Sequence, residues 1–72
     1  MPLSMSNTSE KVVVIRVSGK DEERKHLEDL GFVQGAMIKV ISNFNGDIII
    51  EIKNSKLAVT KEMAMKILVA KV

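Results

Sequence analysis

The hydrophobic positions of this chain change period once, across residues 27–35. Upstream, Val12, Val13, Val14, Ile15 and Val17 form a β-branched run interrupted only by Arg16, which predicts a strand covered on both faces or lying across a barrel. Ser18-Gly19-Lys20 ends that run. Ser18 stands three residues before Asp21, in the spacing of a capping box, and Glu22 and Glu23 follow where a helix dipole favours acids, so a helix is predicted over residues 21–30. Leu27 and Leu30 are three apart, share one helical face and are expected in the core. Gly31 falls where such a helix stops and is expected in the left-handed conformation, with Phe32 folding back onto Leu27 or Leu30. Gly35 supplies a second turn.

Downstream the period is two. Ile38, Val40 and Ser42 share one parity, with Lys39, Ile41 and Asn43 on the other, and Asn45-Gly46 is a strong type I′ hairpin signal. The return strand places Ile48, Ile50 and Ile52 on one face and Asp47, Ile49, Glu51 and Lys53 on the other, which leaves Ile49 exposed or half-exposed. Asn54-Ser55 predicts another turn and Leu57-Ala58-Val59 a short strand. Thr60 is read as the cap of a single helical turn carrying Met63 and Ala64, with Glu62 completing a capping box. Residues 67–72 then form a last strand with Ile67 and Val69 inward. The expected architecture is mainly β: a small barrel of about five antiparallel strands with one inserted α-helix and a short C-terminal helical turn, its last strand pairing with an earlier one to remove the exposed edges. Residues 11–72 make the domain, and residues 1–10, rich in serine with Pro2, Asn7 and Thr8, are expected as a flexible tail.

Composition narrows the core and the partners. At 72 residues there is room for one domain, no cysteine is available to staple it, and only Phe32 and Phe44 are aromatic, so the interior must be aliphatic. Eleven Lys and Arg against nine Asp and Glu give a formal net charge of +2. The lysines are dispersed along the sequence and aromatics are nearly absent, which argues against a nucleic-acid partner. The apolar runs are too short to span a bilayer, and the first residues lack the basic and apolar regions of a secretory signal; a cytoplasmic protein without membrane insertion is expected.

Candidate chemistry is sparse. His26 is the one histidine, and Glu22 lies one helical turn before it, so these two are the candidate metal ligands, set against the commoner reading of a solvated helix face. Asp47 and Glu51 share a strand face beside lysines, without a third group to make an acid–base set. No phosphate loop, nucleophile elbow or metalloprotease motif occurs, and no enzyme is read here. Met63 and Met65 could serve as adaptable contacts or soft metal ligands, and core filling is the expected use for Met63. The strand parity instead suggests a docking surface: Ile41 and Ile49 pointing outward would join Phe44 in an apolar patch flanked by Lys39, Lys53 and Glu51, suited to a protein partner or a second copy of the chain.

The string Leu27-x-x-Leu30-Gly31-Phe32-x-x-Gly35 with Arg24 upstream, the hairpin with Gly46-Asp47 at its turn, and Leu57-Ala58-Val59 followed by Ala64, Ile67 and Val69 together resemble the FeoA family. The match runs from about Val12 to the C-terminus. Ile48 stands where family members often have proline, and Thr60-Lys61 where an arginine often follows the last leucine. The resemblance implies an SH3-like barrel with an inserted helix, found as a free-standing cytosolic protein of bacterial ferrous-iron uptake and as a domain fused to the transporter FeoB and to DtxR-type metal-dependent repressors. It further implies a non-enzymatic interaction module, requiring no cofactor, that binds and modulates the cytosolic part of a FeoB-type membrane GTPase transporter. The alternative is a metal-responsive regulatory domain contributing ligands to a transition metal site for iron, zinc or manganese.

Overall fold

A computed structural model describes residues 1–72, in which five strands form one antiparallel sheet in the order β4-β3-β2-β1-β5. The strands are β1 (Lys11–Val17), β2 (Met37–Phe44), β3 (Asp47–Ile52), β4 (Ser55–Val59) and β5 (Ile67–Lys71), with α1 (Asp21–Asp29) between β1 and β2 and the one-turn α2 (Lys61–Ala64) before β5. This is the expected mainly-β, SH3-like architecture. The strands curl around an aliphatic core to which β1 contributes Val12 and Val14, β2 Ile38 and Val40, β3 Ile48, Ile50 and Ile52, and β5 Ile67 and Val69. Of the two readings for β1, covered on both faces or lying across a barrel, the structure has the second: its alternation buries Val12 and Val14 and leaves Ile15 exposed beside a register shift between Val14 and Arg16.

The Asn45-Gly46 turn has positive φ at both residues, 54° and 94°, and pairs Phe44 with Asp47. A two-residue turn sets even-numbered residues of β2 opposite odd-numbered ones of β3, so Ile38 and Val40 cannot share the inner face with Ile48, Ile50 and Ile52 in an unbroken ladder. The register shifts between Val40 and Ser42, and the bulge at Ile41 restores the match. Ser42, expected on the inner parity, therefore pairs with Ile49, and Asn43, expected outward, pairs with the buried Ile48. β3 turns into β4 one residue earlier than predicted, through Lys53 and Asn54 with φ of 52° and 64°.

α1 ends as its sequence predicts. The Phe32 N–H donates to the Leu27 carbonyl and the Gly31 N–H to that of Glu28, both at 3.0 Å, with Gly31 at φ +110°. Two expectations at this helix fail. The residue before it is Lys20, which offers no side-chain cap, while Ser18 Oγ donates to the Lys66 carbonyl at 3.1 Å. Leu30, expected in the core, is 37% exposed against 1% for Leu27, because the reversal at Gly31 brings the fully buried Phe32 into the core and leaves the cap residue outside.

The N-terminal segment is not the loose tail expected from its composition. Leu3, in a 3₁₀ turn over Leu3–Met5, is fully buried in the core cluster, Pro2 bridges Leu68 of β5, and the Val69 N–H donates to the Met1 carbonyl at 2.7 Å. Asn43 ties this segment to the hairpin: its Nδ2 donates to the carbonyls of Ser4 and Ser6, and its Oδ1 accepts from the Gly46 N–H at 2.9 Å. β5 thus has β1 on one edge and the N-terminal residues on the other, whereas β4 pairs with β3 alone and keeps an open edge. The ladder does not remove both edges as predicted.

Candidate docking surface

The outer face of β2, β3 and β4 carries the apolar residues that the sequence placed outward. Ser42, Ile49 and Ala58 lie opposite one another across the three strands, and Phe44 pairs with Asp47 at the hairpin end. Phe44 is 76% exposed and Ile49 is 42% exposed. Together with Ala58 and Val59 they line a shallow depression whose polar rim is Ser42, Asp47 and Thr60.

Two of those rim groups are already engaged in capping α2. Thr60 Oγ1 accepts from the Met63 N–H at 3.3 Å, and Asp47 Oδ1 accepts from the Lys61 N–H at 2.8 Å. Met63, rather than Glu62, therefore holds the third helical position, and the expected capping box is not formed. Lys61 in turn lies against the hairpin: a Cβ added to Gly46 would come 2.6 Å from its Cγ, so only glycine fits beneath it. The depression consequently has fixed walls, because hairpin and helix hold each other in place. Met63 packs against the core as read from sequence, whereas Met65 is exposed.

The five residues proposed from sequence as one patch are divided by the structure. Phe44 and Ile49 share the apolar depression, Ile41 is half-buried at the bulge, and Lys39 and Lys53 line a second depression with Lys11, Met37, Glu51 and Asn54. Sequence reasoning missed Lys11 as a member of that second group. Its register with Lys39 depends on a pairing between β1 and β2 that no local signal announces.

Glu22 and His26 are both exposed on α1, and no cluster of three or more His, Cys, Asp or Glu side chains exists to complete a metal site around them. A site at these residues would need ligands from outside the chain. Neighbouring acids are occupied elsewhere: Asp21 accepts from Arg24 at 2.8 Å, and Glu23 pairs with Lys66. The Lys66 ammonium holds the Glu23 carboxyl below its usual range. The Asn7 N–H, which donates to the Glu10 carboxylate at 2.8 Å, does the same for Glu10 with help from Lys71. No helix is long and apolar enough to cross a membrane.

Comparison with known proteins agrees with this architecture. A Methanocaldococcus jannaschii protein provisionally named Fe(2+) transport protein A is 35% identical over 94% of this chain and 83% of its own length. The crystal structure of an iron uptake regulatory protein, FeoA, superposes with a TM-score of 0.93 at 30% identity, covering 100% of this chain and 97% of that one. A zinc-complexed FeoA from Stenotrophomonas maltophilia, described as an SH3 domain protein, shares the fold with a TM-score of 0.83 at 22% identity, over 97% of this chain and 89% of that one. The FeoA domain family matches residues 1–71, so the chain belongs to the FeoA family.

Proposed function

We propose that this protein acts in ferrous iron transport as a cytoplasmic interaction module, docking through the Phe44 and Ile49 face on the cytosolic part of a FeoB-type membrane transporter and modulating it. The observation that carries the reading is the apolar depression on the outer sheet face, with a large aromatic ring held in solvent beside Ile49 and a rim fixed by the caps of α2. An exposed aromatic next to a branched aliphatic, ringed by polar groups, is the form of an interface anchor. Desolvating side chains of this size contributes about 1.5–3 kcal/mol each for full burial. The relatives' names, Fe(2+) transport protein A and iron uptake regulatory protein, support the pathway.

Ile49→Glu tests it. The variant is expected to keep its circular dichroism spectrum and melting temperature close to those of the parent, since Ile49 lies outside the core, and to lose co-purification with the transporter. Retention of the transporter by a folded Ile49→Glu protein would overturn the assignment of this face.

A further inference from the structure

Four lysines that are scattered in sequence come together on the outer sheet face at the opposite end of β3 from Phe44. The register sets Lys11 of β1 opposite Lys39 of β2, Lys39 opposite Glu51 of β3, and Glu51 opposite Lys56 of β4. Lys53, in the turn after β3, lines the same depression as Lys11, Lys39, Glu51 and Asn54. This face therefore carries four ammonium groups against one carboxylate, more positive charge than the formal net of +2 for the whole chain. None of them is neutralised internally: the three ion pairs of the molecule are Arg24–Asp21, Lys66–Glu23 and Lys71–Glu10.

Two cations directly opposite on neighbouring strands oppose sheet formation, and Lys11 faces Lys39 in this way; Glu51, on the other side of Lys39, offsets only part of the charge of the row. The row keeps an excess of positive charge that none of the molecule's ion pairs takes up, and an acidic partner complements such a surface. We infer that this face is a second docking site, whose occupant is an acidic polypeptide segment of a partner protein. The chemistry favours a peptide over a nucleic acid. Glu51, in the middle of the row, would repel an unbroken line of phosphates but can be bridged by a polypeptide that places its carboxylates unevenly, and the exposed aromatic that could stack a base, Phe44, lies in the other depression. Asn54 adds an amide able to hydrogen-bond a peptide backbone. The inference does not depend on which protein occupies the Phe44 and Ile49 face.

The test uses the full chain with a synthetic peptide of four glutamates spaced unevenly by serine and glycine, followed by amide chemical shifts at about 50 mM and about 200 mM salt, a range over which binding between charged groups weakens strongly. Saturable shifts confined to the surroundings of Lys11, Lys39, Lys53 and Asn54, weakening several-fold at the higher salt, are expected. Lys11→Gln combined with Lys39→Gln should reduce the affinity about tenfold, as loss of two charge contacts does, with little change in the melting temperature, because the repulsion between the lysines and the attraction of Glu51 to Lys39 are removed together. Ile49→Ala, which alters the proposed transporter face without adding a charge, should leave peptide binding unchanged and so separates the two sites. Shifts spread over the whole surface, unaltered binding by the double variant, or tighter binding of a single-stranded oligonucleotide of equal charge at the same lysines would each overturn the proposal.

Discussion

The two faces of β3 carry the same residue to opposite ends. Ile48, Ile50 and Ile52 are buried in the core, while Ile49, chemically identical and one position away, stands half in solvent beside Phe44. The inner isoleucines hold the barrel together; the outer one contributes little to folding and is available to a partner. Residue type therefore says nothing about role in this hairpin, and strand phase says nearly everything.

Truncation should expose the contrast most strongly. Ile50→Ala is expected to destabilise the fold by roughly 2–5 kcal/mol, and Ile49→Ala to stay within about 0.5 kcal/mol, as measured by urea unfolding. Equal losses at the two positions would abolish the distinction. Gly31→Val should come next, at about 1–2 kcal/mol or more, since Gly31 is held at φ +110° and a Cβ there would sit 3.3 Å from Ile52 Cδ1, pressing on the inner face from the helix side. A smaller effect is expected for Leu30→Ala, about 1 kcal/mol against roughly 2–5 kcal/mol for the buried Leu27→Ala, which carries the inner and outer comparison onto α1. The least change should come from acid. Glu10 and Glu23 have folded-state values lowered by their partners, so their contribution is present above the unfolded carboxylate range and is lost as pH falls through the lowered folded values. Glu23 is solvent-exposed, so the melting temperature should fall only slightly faster with acid than in a Glu23→Gln variant.

How much of this could be read beforehand varies by region. Asn45-Gly46 and Gly31 were legible because each answers a backbone requirement that few residues meet, and both take positive φ as expected. The bulge at Ile41 was not, although the conflict that forces it was present: a two-residue turn cannot pair two strands that both bury their even positions. Reading each strand alone gave Ile49 correctly and misplaced Ser42 and Asn43. The Lys53-Asn54 turn was hidden because lysine gives no sign of tolerating positive φ. Residues 1–6 were misread because a short serine-rich stretch with a single buried leucine has no period, and its anchors, Asn43 and β5, are remote in sequence. On the docking surface, Ile49 followed from phase, whereas Phe44, of the parity read as inward, is turned out by the bulge at Ile41, and the grouping of Lys11 with Lys39 required a strand pairing across the helix.

The pairing of β1 with β5 sets Val12 opposite Lys71, while β2, β3 and β4 are joined by turns of two residues each. Closing a loop that spans most of the chain costs far more entropy than closing a hairpin. The rate-limiting step of folding should then be the arrival of the chain's two ends onto a meander already formed. Destabilising substitutions in β5 such as Val69→Ala should accelerate unfolding and leave refolding almost untouched, while Ile50→Ala should slow refolding.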